Sequence, residues 1–346
     1  MAVGQILSYR GSMVRFELEE WSVAGAGSTN TILDVGDISV GHFARTDPPY
    51  LTGCSVVLFD APTRAGVDVG GSAPGTRETD ALDPGALVEY IDAVLFTGSS
   101  AFGLDAAGGV MRYLQRKGQG FKVAPSDLGV VPIVPTATIF DLGRGGSFEA
   151  LCDLDFGIRA CEMASEMTLA QGSVGAGAGA YSGGVKGGVG SASAILGNGT
   201  VVASFCVVNS RGSIFNHSVG RLHSASLELG DEFSSYDPLE VFKGKHASGN
   251  NGFNTTVALV ATNLKLSRSE LRVMARVAHD GLARSIRPIH TFFDGDTIFA
   301  ASVGEDDSLL GDVPRDIRLE ALSMLFEAGA DTLSRAVIHG VMKANS

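Results

Sequence analysis

The chain has 346 residues, of which 45% are hydrophobic, so it can bury the core of one large domain or of two ordinary ones. Its formal net charge of -12 at pH 7 sets up a negative field that repels phosphate backbones and anionic lipid surfaces. The charge therefore argues against nucleic acid and membranes as partners and favours a small neutral or cationic substrate.

Cysteine spacing and hydropathy indicate the class of protein. The four cysteines form no C-x-x-C pair and have no neighbouring histidine at metal-ligand spacing, so we expect reduced core residues and neither a metal site nor a cofactor. No segment approaches about 20 uninterrupted apolar residues, and the first twenty residues lack a long apolar stretch. We therefore expect a cytoplasmic protein that is not exported.

Residues 1–30 are mixed in character, and we interpret them as an extension ahead of the main domain. Short apolar runs bounded by turn signals follow at 54–60 and 92–98 and are typical of buried strands. Apolar residues then recur at helical spacing between 99 and 118, and 147–167 is also predicted to be a helix.

Glycines are densest at 172–196, which raises the possibility of a nucleotide-binding loop. The P-loop pattern fails there because Lys186 follows Val185 and precedes Gly187, with no Ser or Thr to hold magnesium. A Rossmann fingerprint is disfavoured because "GAGAGAY" follows a helix and lacks the third glycine at the required offset.

The final third of the chain has the clearest pattern. Strand "TTVALVATNL" precedes a helix that a Ser-x-x-Glu capping box opens at 267–270. Strand "DTIFAASVG" then precedes a long helix from about 314 to 343. We therefore expect a compact β-α-β-α unit.

A serine-hydrolase elbow is an alternative at "TGSSAFG", where a strand leads into a helix around Ser100. The closing glycine of that motif is absent. We therefore favour an ordinary glycine turn that packs a helix onto a sheet, and we do not expect the strained turn that would present a hydroxyl.

The pair Asp294 and Asp296 can be an acid-base or orienting pair, or simply a turn. Two carboxylates this close raise each other's pKa unless cations or donors hold them ionised. A calcium loop would need further carboxylates that the sequence lacks. The seven histidines do not cluster, and we assign His290 no chemical role.

A polar, flexible stretch ends abruptly at Asn254-Thr255, where apolar and β-branched residues begin. A threonine hydroxyl can attack its own preceding carbonyl in an N-to-O acyl shift, and water then releases a new N-terminal threonine. The new α-amine, with a pKa of about 7.7 to 8.0, can act as the general base for that hydroxyl. On these residues alone, an ordinary loop-to-strand junction is the simpler interpretation.

Seven motifs in order decide between these interpretations, because ordered coverage from about residue 32 to the C-terminus is far more specific than one match. They are "ILDVGDISVGH", "AGVDVGGSAPGTRETD", "VLFTGSSAFGLDAAGGVMRYL", "VPIVPTATIFDL", "VGAGAGAYSGGVKGGVGSAS", "NTTVALVATN" and "HTFFDGDTIFA". On these motifs the chain resembles the DmpA-type self-cleaving aminopeptidases, a family that includes L-aminopeptidase/D-amidase-esterases, β-peptidyl aminopeptidases and the nylon-oligomer endo-hydrolase.

The resemblance implies a four-layer α/β/β/α sandwich, the N-terminal-nucleophile-like fold shared with ornithine acetyltransferases. A precursor of this type splits into a large chain, here 31–254 after the extension, and a small chain, here 255–346. Together the two chains would form one catalytic domain. Because relatives assemble into homo-oligomers of such processed units, the resemblance also implies a homo-oligomer for this chain.

Residue by residue, the resemblance makes Thr255 the nucleophile, Lys186 the lysine beside it and Asn209 the asparagine that stabilises the oxyanion. Asp294 and Asp296 would orient the amine and hydroxyl of the nucleophile.

The implied reaction is metal-independent hydrolysis of amide bonds in small peptides, amino-acid amides, or β-, D- or nylon-like amide oligomers. Phe140 stands where some relatives carry a tyrosine near the substrate, so substrate preference does not transfer. Two alternatives remain at this point, an acyltransferase of the ornithine acetyltransferase type and an uncut homologue without catalytic activity.

Overall fold

A computed structural model describes residues 5–9, 12–16, 18–123, 128–245, 253–305, 307–311 and 313–346, and only the backbone of the first two ranges. The described residues form strands and helices of very different lengths. The strands are β1 (Gln5–Tyr9), β2 (Ser12–Phe16), β3 (Val23–Gly25), β4 (Ile38–Arg45), β5 (Thr52–Val69), β6 (Thr76–Arg77), β7 (Ile91–Thr97), β8 (Phe121–Lys122), β9 (Val130–Val131), β10 (Thr136–Thr138), β11 (Tyr181–Ser182), β12 (Val185–Lys186), β13 (Gly188–Leu196), β14 (Val201–Asn209), β15 (Phe215–Asn216), β16 (Arg221–Leu222), β17 (Thr255–Thr262) and β18 (Thr297–Ser302). The α-helices are α1 (Ala106–Arg116), α2 (Leu154–Glu162), α3 (Pro238–Val241), α4 (Arg268–Ser285) and α5 (Arg315–Ala344).

Strand β5 is long enough to belong to two sheets. Its first part pairs with β4 and β7, and its last part, 64–69, pairs antiparallel with β18. The register shifts between Leu58 and Thr63, where the strand passes from one sheet to the other. The strand order is β3-β13-β14-β17-β18-β5-β7-β10-β6, with β4 also paired to β5.

Three hydrophobic clusters separate four layers. The central cluster lies between the two sheets, where the ring of Phe96 is 5.5 Å from that of Phe205 and 6.1 Å from that of Phe299. The first sheet contains β3, β13, β14, β17, β18 and the end of β5, and the second contains the start of β5 with β4, β7, β10 and β6. A second cluster joins the first sheet to α4 and α5, and a third joins the second sheet to α1 and α2. The predicted α/β/β/α sandwich is therefore confirmed.

Strand β14 illustrates why the central strands are almost entirely apolar. Phe205 and Val207 belong to the cluster between the sheets, whereas Cys206 and Val208 belong to the cluster beneath the helices. Because side chains alternate along a strand, a strand covered on both faces reads as a continuous hydrophobic run. The run ends at Asn209, a buried polar residue at the end of the strand.

The β-α-β-α unit predicted for the final third is confirmed. Strands β17 and β18 run parallel and α4 provides the crossover between them. The capping box is present, since the Ser267 hydroxyl accepts the Glu270 N–H and the Glu270 carboxylate accepts the Ser267 N–H. This unit carries the strand on which the predicted nucleophile lies.

Two predicted helices are shorter than expected. The prediction of 147–167 is wrong in extent because α2 begins only after Asp153, whose carboxylate accepts the N–H groups of Asp155 and Phe156 as an N-cap. In 99–118, a 3₁₀ helix covers 100–105 before α1 begins, and Phe102, one of the apolar residues at helical spacing, is 55% exposed.

The cysteines are free and buried, as predicted. Within the predicted extension, β3 pairs with β13 at the edge of the first sheet. Among the helices of the described residues, none combines the length and the apolar character that a membrane crossing requires.

Candidate active site

The bond between Asn254 and Thr255 lies at the start of β17, between β14 and β18. Thr255 is directly opposite Asn209 on β14, and Asn254 forms a parallel bridge with Asp294. Both residues are buried, Thr255 to 5% exposure and Asn254 to 1%. Strand register therefore brings together residues that the sequence separates widely.

The carbonyl oxygen of Asn254 accepts two hydrogen bonds. The Thr255 hydroxyl donates at 2.5 Å and the Gly295 N–H donates at 3.1 Å. The same Gly295 N–H lies 3.2 Å from Thr255 Oγ1, and the Asn254 N–H donates to the carbonyl of Phe293 at 3.0 Å. The turn before β18 thus holds the peptide beside the hydroxyl.

Asp296 is fully buried and both of its carboxylate oxygens are bound. Oδ1 accepts the Thr256 N–H at 2.7 Å, and Oδ2 accepts His290 Nδ1–H at 2.7 Å. The His279 ring packs edge-on against His290, with centroids 4.8 Å apart, and its Nε2 is 3.4 Å from the Asp68 carboxylate. A chain of titratable groups therefore lies behind the start of β17.

Asp294 is bound differently. Its Oδ2 accepts the N–H of Thr291 at 2.8 Å and the hydroxyl of Thr291 at 2.5 Å. Burial raises the pKa of Asp294 above its usual value and the charge of Asp296 adds to the rise, while the bonds from Thr291 oppose it. Asp294 therefore accepts a proton more readily than a free aspartate.

The side-chain amide of Asn209 has an orientation that its partners fix. Oδ1 accepts Arg144 Nη1–H at 2.6 Å and the Tyr181 N–H at 3.0 Å, and Nδ2 donates to the Phe140 carbonyl at 3.2 Å. Two donors on one atom identify it as the oxygen. The amide nitrogen carries a second hydrogen. Asn209 itself lies on β14 directly opposite Thr255.

Lys186 pairs with Tyr181 in a hairpin, but its side chain makes no described contact with Asn209 or Thr255. It sits in the β11–β12 hairpin, its side chain is exposed, and its backbone exchanges two hydrogen bonds with the Asn345 side chain. Within the described ranges no hydrogen bond or ion pair joins its ammonium group to Thr255 or to the two aspartates. A catalytic role for Lys186 stays a prediction.

Aromatic side chains border the candidate site. The Phe253 ring lies 5.7 Å from that of Phe140 and 6.3 Å from that of Phe293, and the Arg211 guanidinium lies 4.6 Å above the Phe293 ring. Phe253 is 51% exposed and Phe293 is 45% exposed. Phe140 thus contacts the site through its carbonyl as well as its ring, and the border offers apolar surface.

The serine-elbow alternative can now be judged. Ser99 and Ser100 have φ of 65° and 52°, so the strained turn that we did not expect is present. Ser99 is fully buried, however, and its hydroxyl accepts the Cys152 N–H at 2.9 Å. Its backbone N–H binds Asp141, whose pKa burial raises to about 6. In the described part of the chain no histidine is hydrogen-bonded to either serine, so this turn packs the fold together.

Sequence reasoning missed Arg144 and His290. Arg144 lies 65 positions from Asn209 and His290 six positions from Asp296, and each makes the contact that fixes the orientation of its partner. His290 has φ of 55°, a left-handed conformation that is uncommon for residues other than glycine. The "RGG" context of Arg144 and the proximity of His290 to the D-x-D pair were the only signals in the sequence.

Replacing His290 is expected to test its support of Asp296. Glycine and asparagine both accept the left-handed backbone, but only asparagine offers an N–H where Nδ1 lies. A lost hydrogen bond to a carboxylate costs about 1.5 to 3 kcal/mol, so His290→Gly should lower kcat about 10- to 100-fold while His290→Asn retains most activity. Equal kcat values for both variants would argue against this role.

Comparisons with known proteins identify the family of the chain. The model of peptidase family S58 matches residues 30–346. An "uncharacterized aminopeptidase" of Mycobacterium tuberculosis is 43% identical over 331 residues, which cover 91% of this chain and 94% of the relative. A 6-aminohexanoate-oligomer endohydrolase of a Kocuria species is 29% identical over 296 residues, 82% of this chain and 78% of the relative.

Solved structures show the same fold. The L-aminopeptidase D-Ala-esterase/amidase of Ochrobactrum anthropi, described as a variant of the Ntn-hydrolase fold, superposes with a TM-score of 0.67 at 19% identity over 92% of this chain and 88% of that one. A β-aminopeptidase of a Burkholderia species gives a TM-score of 0.65 at 21% identity, with the same coverage of both chains.

The structural likeness shows a variant of the Ntn-hydrolase fold, and the family model shows a peptidase. The chain belongs to peptidase family S58, and the resemblance to the self-cleaving aminopeptidases is confirmed.

Proposed function

We propose that this hydrolase cleaves its own Asn254-Thr255 bond and then uses Thr255 as an N-terminal nucleophile against amide bonds of small peptides or amino-acid amides. The observation that carries the proposal is the contact of the Thr255 hydroxyl with the carbonyl of the preceding residue, with the Gly295 N–H on both oxygens. The products would be a large chain ending at Asn254 and a small chain starting at Thr255.

A buried polar group favours cleavage over the uncut state. The side-chain oxygen of Asn254 is buried and has no hydrogen-bond partner among the described residues. Burying such an atom costs about 1 to 3 kcal/mol, and release of the new C-terminus would let water bind it. Cleavage would therefore remove the free-energy cost of a buried oxygen without a hydrogen bond, next to the bond that is cut.

In turnover, the released α-amine of Thr255 takes the hydroxyl proton while Oγ1 attacks the substrate carbonyl. In this proposal the second amide hydrogen of Asn209, which lies directly opposite Thr255 in the strand register, binds the developing oxyanion, and the charge of Arg144 on Oδ1 makes that amide a stronger donor. The leaving amine takes a proton, and water hydrolyses the acyl-enzyme. Asp296 holds the start of the strand, and Lys186 could add positive charge only if its side chain moved inward from solvent.

The surroundings of the site point to a substrate class. The aromatic border favours an apolar side chain or methylene chain, and the buried aspartates favour a free amino group nearby. The printed names of relatives, an aminopeptidase, a β-aminopeptidase and a 6-aminohexanoate-oligomer endohydrolase, fit such amino-terminated amides. We therefore propose aminopeptidase or amidase activity.

A panel of amino-acid p-nitroanilides, β-amino-acid p-nitroanilides and short 6-aminohexanoate oligomers tests this proposal. We expect release of p-nitroaniline from at least one free-amino substrate and none from its N-acetylated counterpart. Addition of an amine acceptor separates hydrolysis from acyl transfer, because a transferase would yield mainly the transfer product. If no amide in the panel is cleaved, the proposal is contradicted.

A further inference from the structure

Two hydrogen-bond donors lie near Thr255: the Gly295 N–H, which binds the Asn254 carbonyl, and the side-chain amide of Asn209, which lies opposite Thr255 in the strand register. We infer that the Gly295 N–H stabilises the oxyanion of self-cleavage, whereas the Asn209 side chain serves only substrate turnover. This inference rests on the proposed function and assigns a separate donor to each of its two reactions.

The role of Gly295 in self-cleavage is inferred from the contacts of the scissile carbonyl. In the N-to-O shift, Thr255 Oγ1 bonds to the carbonyl carbon, negative charge develops on the Asn254 oxygen, and the C–N bond breaks as the nitrogen gains the hydroxyl proton. Water then hydrolyses the ester to the Asn254 carboxylate and restores the hydroxyl. Gly295 donates to the oxygen on which the charge develops, at 3.1 Å.

The position of Gly295 is fixed by the chain around it. The backbone carbonyl of its neighbour Asp294 accepts the Ala73 N–H at 3.0 Å. The backbone carbonyl of Asp296 accepts the N–H groups of Gly70 and Gly71 at 3.0 and 3.1 Å. A Cβ at position 295 would lie 2.3 Å from the Ala73 carbonyl oxygen, so only glycine fits there without a shift. A donor held this rigidly needs little reorganisation when charge develops.

The contacts of Asn209 carry the second half of the inference. Its described hydrogen bonds go to Arg144, Tyr181 and Phe140, and none reaches the Asn254 carbonyl. The amide is held by groups of the large chain that self-cleavage leaves in place. Its remaining hydrogen is therefore available to a substrate carbonyl after Asn254 has been released.

Removal of single N–H groups tests the role of Gly295 without adding atoms. Cell-free translation can place glycolic acid at position 295, which replaces the amide N–H by an ester oxygen. The matched control places the same ester at position 71, where the lost N–H bonds the Asp296 carbonyl and not the scissile one. We expect cleavage to slow at least about 100-fold with the ester at 295 and to change only a few-fold with the ester at 71.

Asn209→Asp tests the other donor. Aspartate keeps the oxygen that Arg144 and Tyr181 bind but removes the N–H groups, so this chain should cut itself at nearly the normal rate and lose about 100-fold or more in kcat. Equal cleavage rates for the two esters, or a folded Asn209→Asp chain that stays uncut, would overturn the inference. An all-amide chain that is never cut would instead contradict the proposed self-cleavage itself.

Discussion

Replacing Thr255 by alanine is expected to leave the chain uncut and to abolish hydrolysis. Without Oγ1, neither the peptide carbonyl of Asn254 nor a substrate carbonyl has a nucleophile, although the residues around the site remain in place. Loss of a catalytic nucleophile typically lowers kcat by about 10⁴ to 10⁶-fold. Denaturing gels of the purified variant and release of p-nitroaniline measure the two effects separately.

Thr255→Ser is the matched control. Serine keeps the hydroxyl and loses only the methyl group, so this variant should still be cut and should retain measurable turnover. An alanine variant that is cleaved between the same residues, or that hydrolyses amides at the rate of the unaltered chain, would show that Thr255 is not the nucleophile.

Removal of the Glu232 carboxylate is expected to destabilise the fold strongly. Glu232 accepts two hydrogen bonds from Arg335, at 2.6 and 2.8 Å, one from His339 at 2.9 Å and one from Asn30 at 2.6 Å. Arg335 is 1% exposed, and it also donates to the Ser193 carbonyl. This network ties the segment before β4 to helix α5 and to β13.

Glu232→Ala would leave the charge of the buried Arg335 guanidinium without its carboxylate partner, so the free energy of unfolding should fall by about 3 to 5 kcal/mol. The matched control is Glu240→Ala, because the ion pair of Glu240 with Lys243 is exposed and contributes little. Urea unfolding of both variants at pH 7 measures the difference. Equal midpoints would mean that the network does not stabilise the fold.

Because the Glu232 carboxylate is ionisable, its contribution to the free energy of unfolding should depend on pH. Burial alone would raise the pKa of Glu232, but hydrogen bonds from Arg335 and His339 outweigh burial and hold the pKa well below its usual range. Its stabilising effect is therefore complete above the unfolded pKa, about 4.3, and diminishes as the pH falls below it, because the unfolded chain then binds the proton more readily. The stability difference between the unaltered chain and Glu232→Gln should accordingly narrow between pH 5 and pH 2.

Local sequence signals predicted much of the fold. The capping box at Ser267 and the alternation of strand and helix periods define the last third because each signal acts within a few residues. The extent of β5 could not be read in the same way. Only its first part, 52–59, is continuously buried and contains the apolar run that predicted a strand, whereas 64–69 becomes a strand by pairing with β18.

The residues of the candidate site also differ in whether the sequence could identify them. The family resemblance named Thr255, Asn209 and the two aspartates, and strand register brings them together. The contacts of Arg144 and His290 depend on how distant segments pack, so no pattern within either segment could assign them. Lys186 is the reverse case, since a motif names it and the structure places its side chain in solvent.

The N-terminal sequence and intact mass of the chains in a purified preparation provide the most direct test of self-cleavage. Denaturing electrophoresis should resolve two chains, and the smaller should begin with the sequence TTVALV, which starts at Thr255. A single intact chain that hydrolyses amides at full rate, or a cut at another bond, would contradict an N-terminal threonine nucleophile at this position.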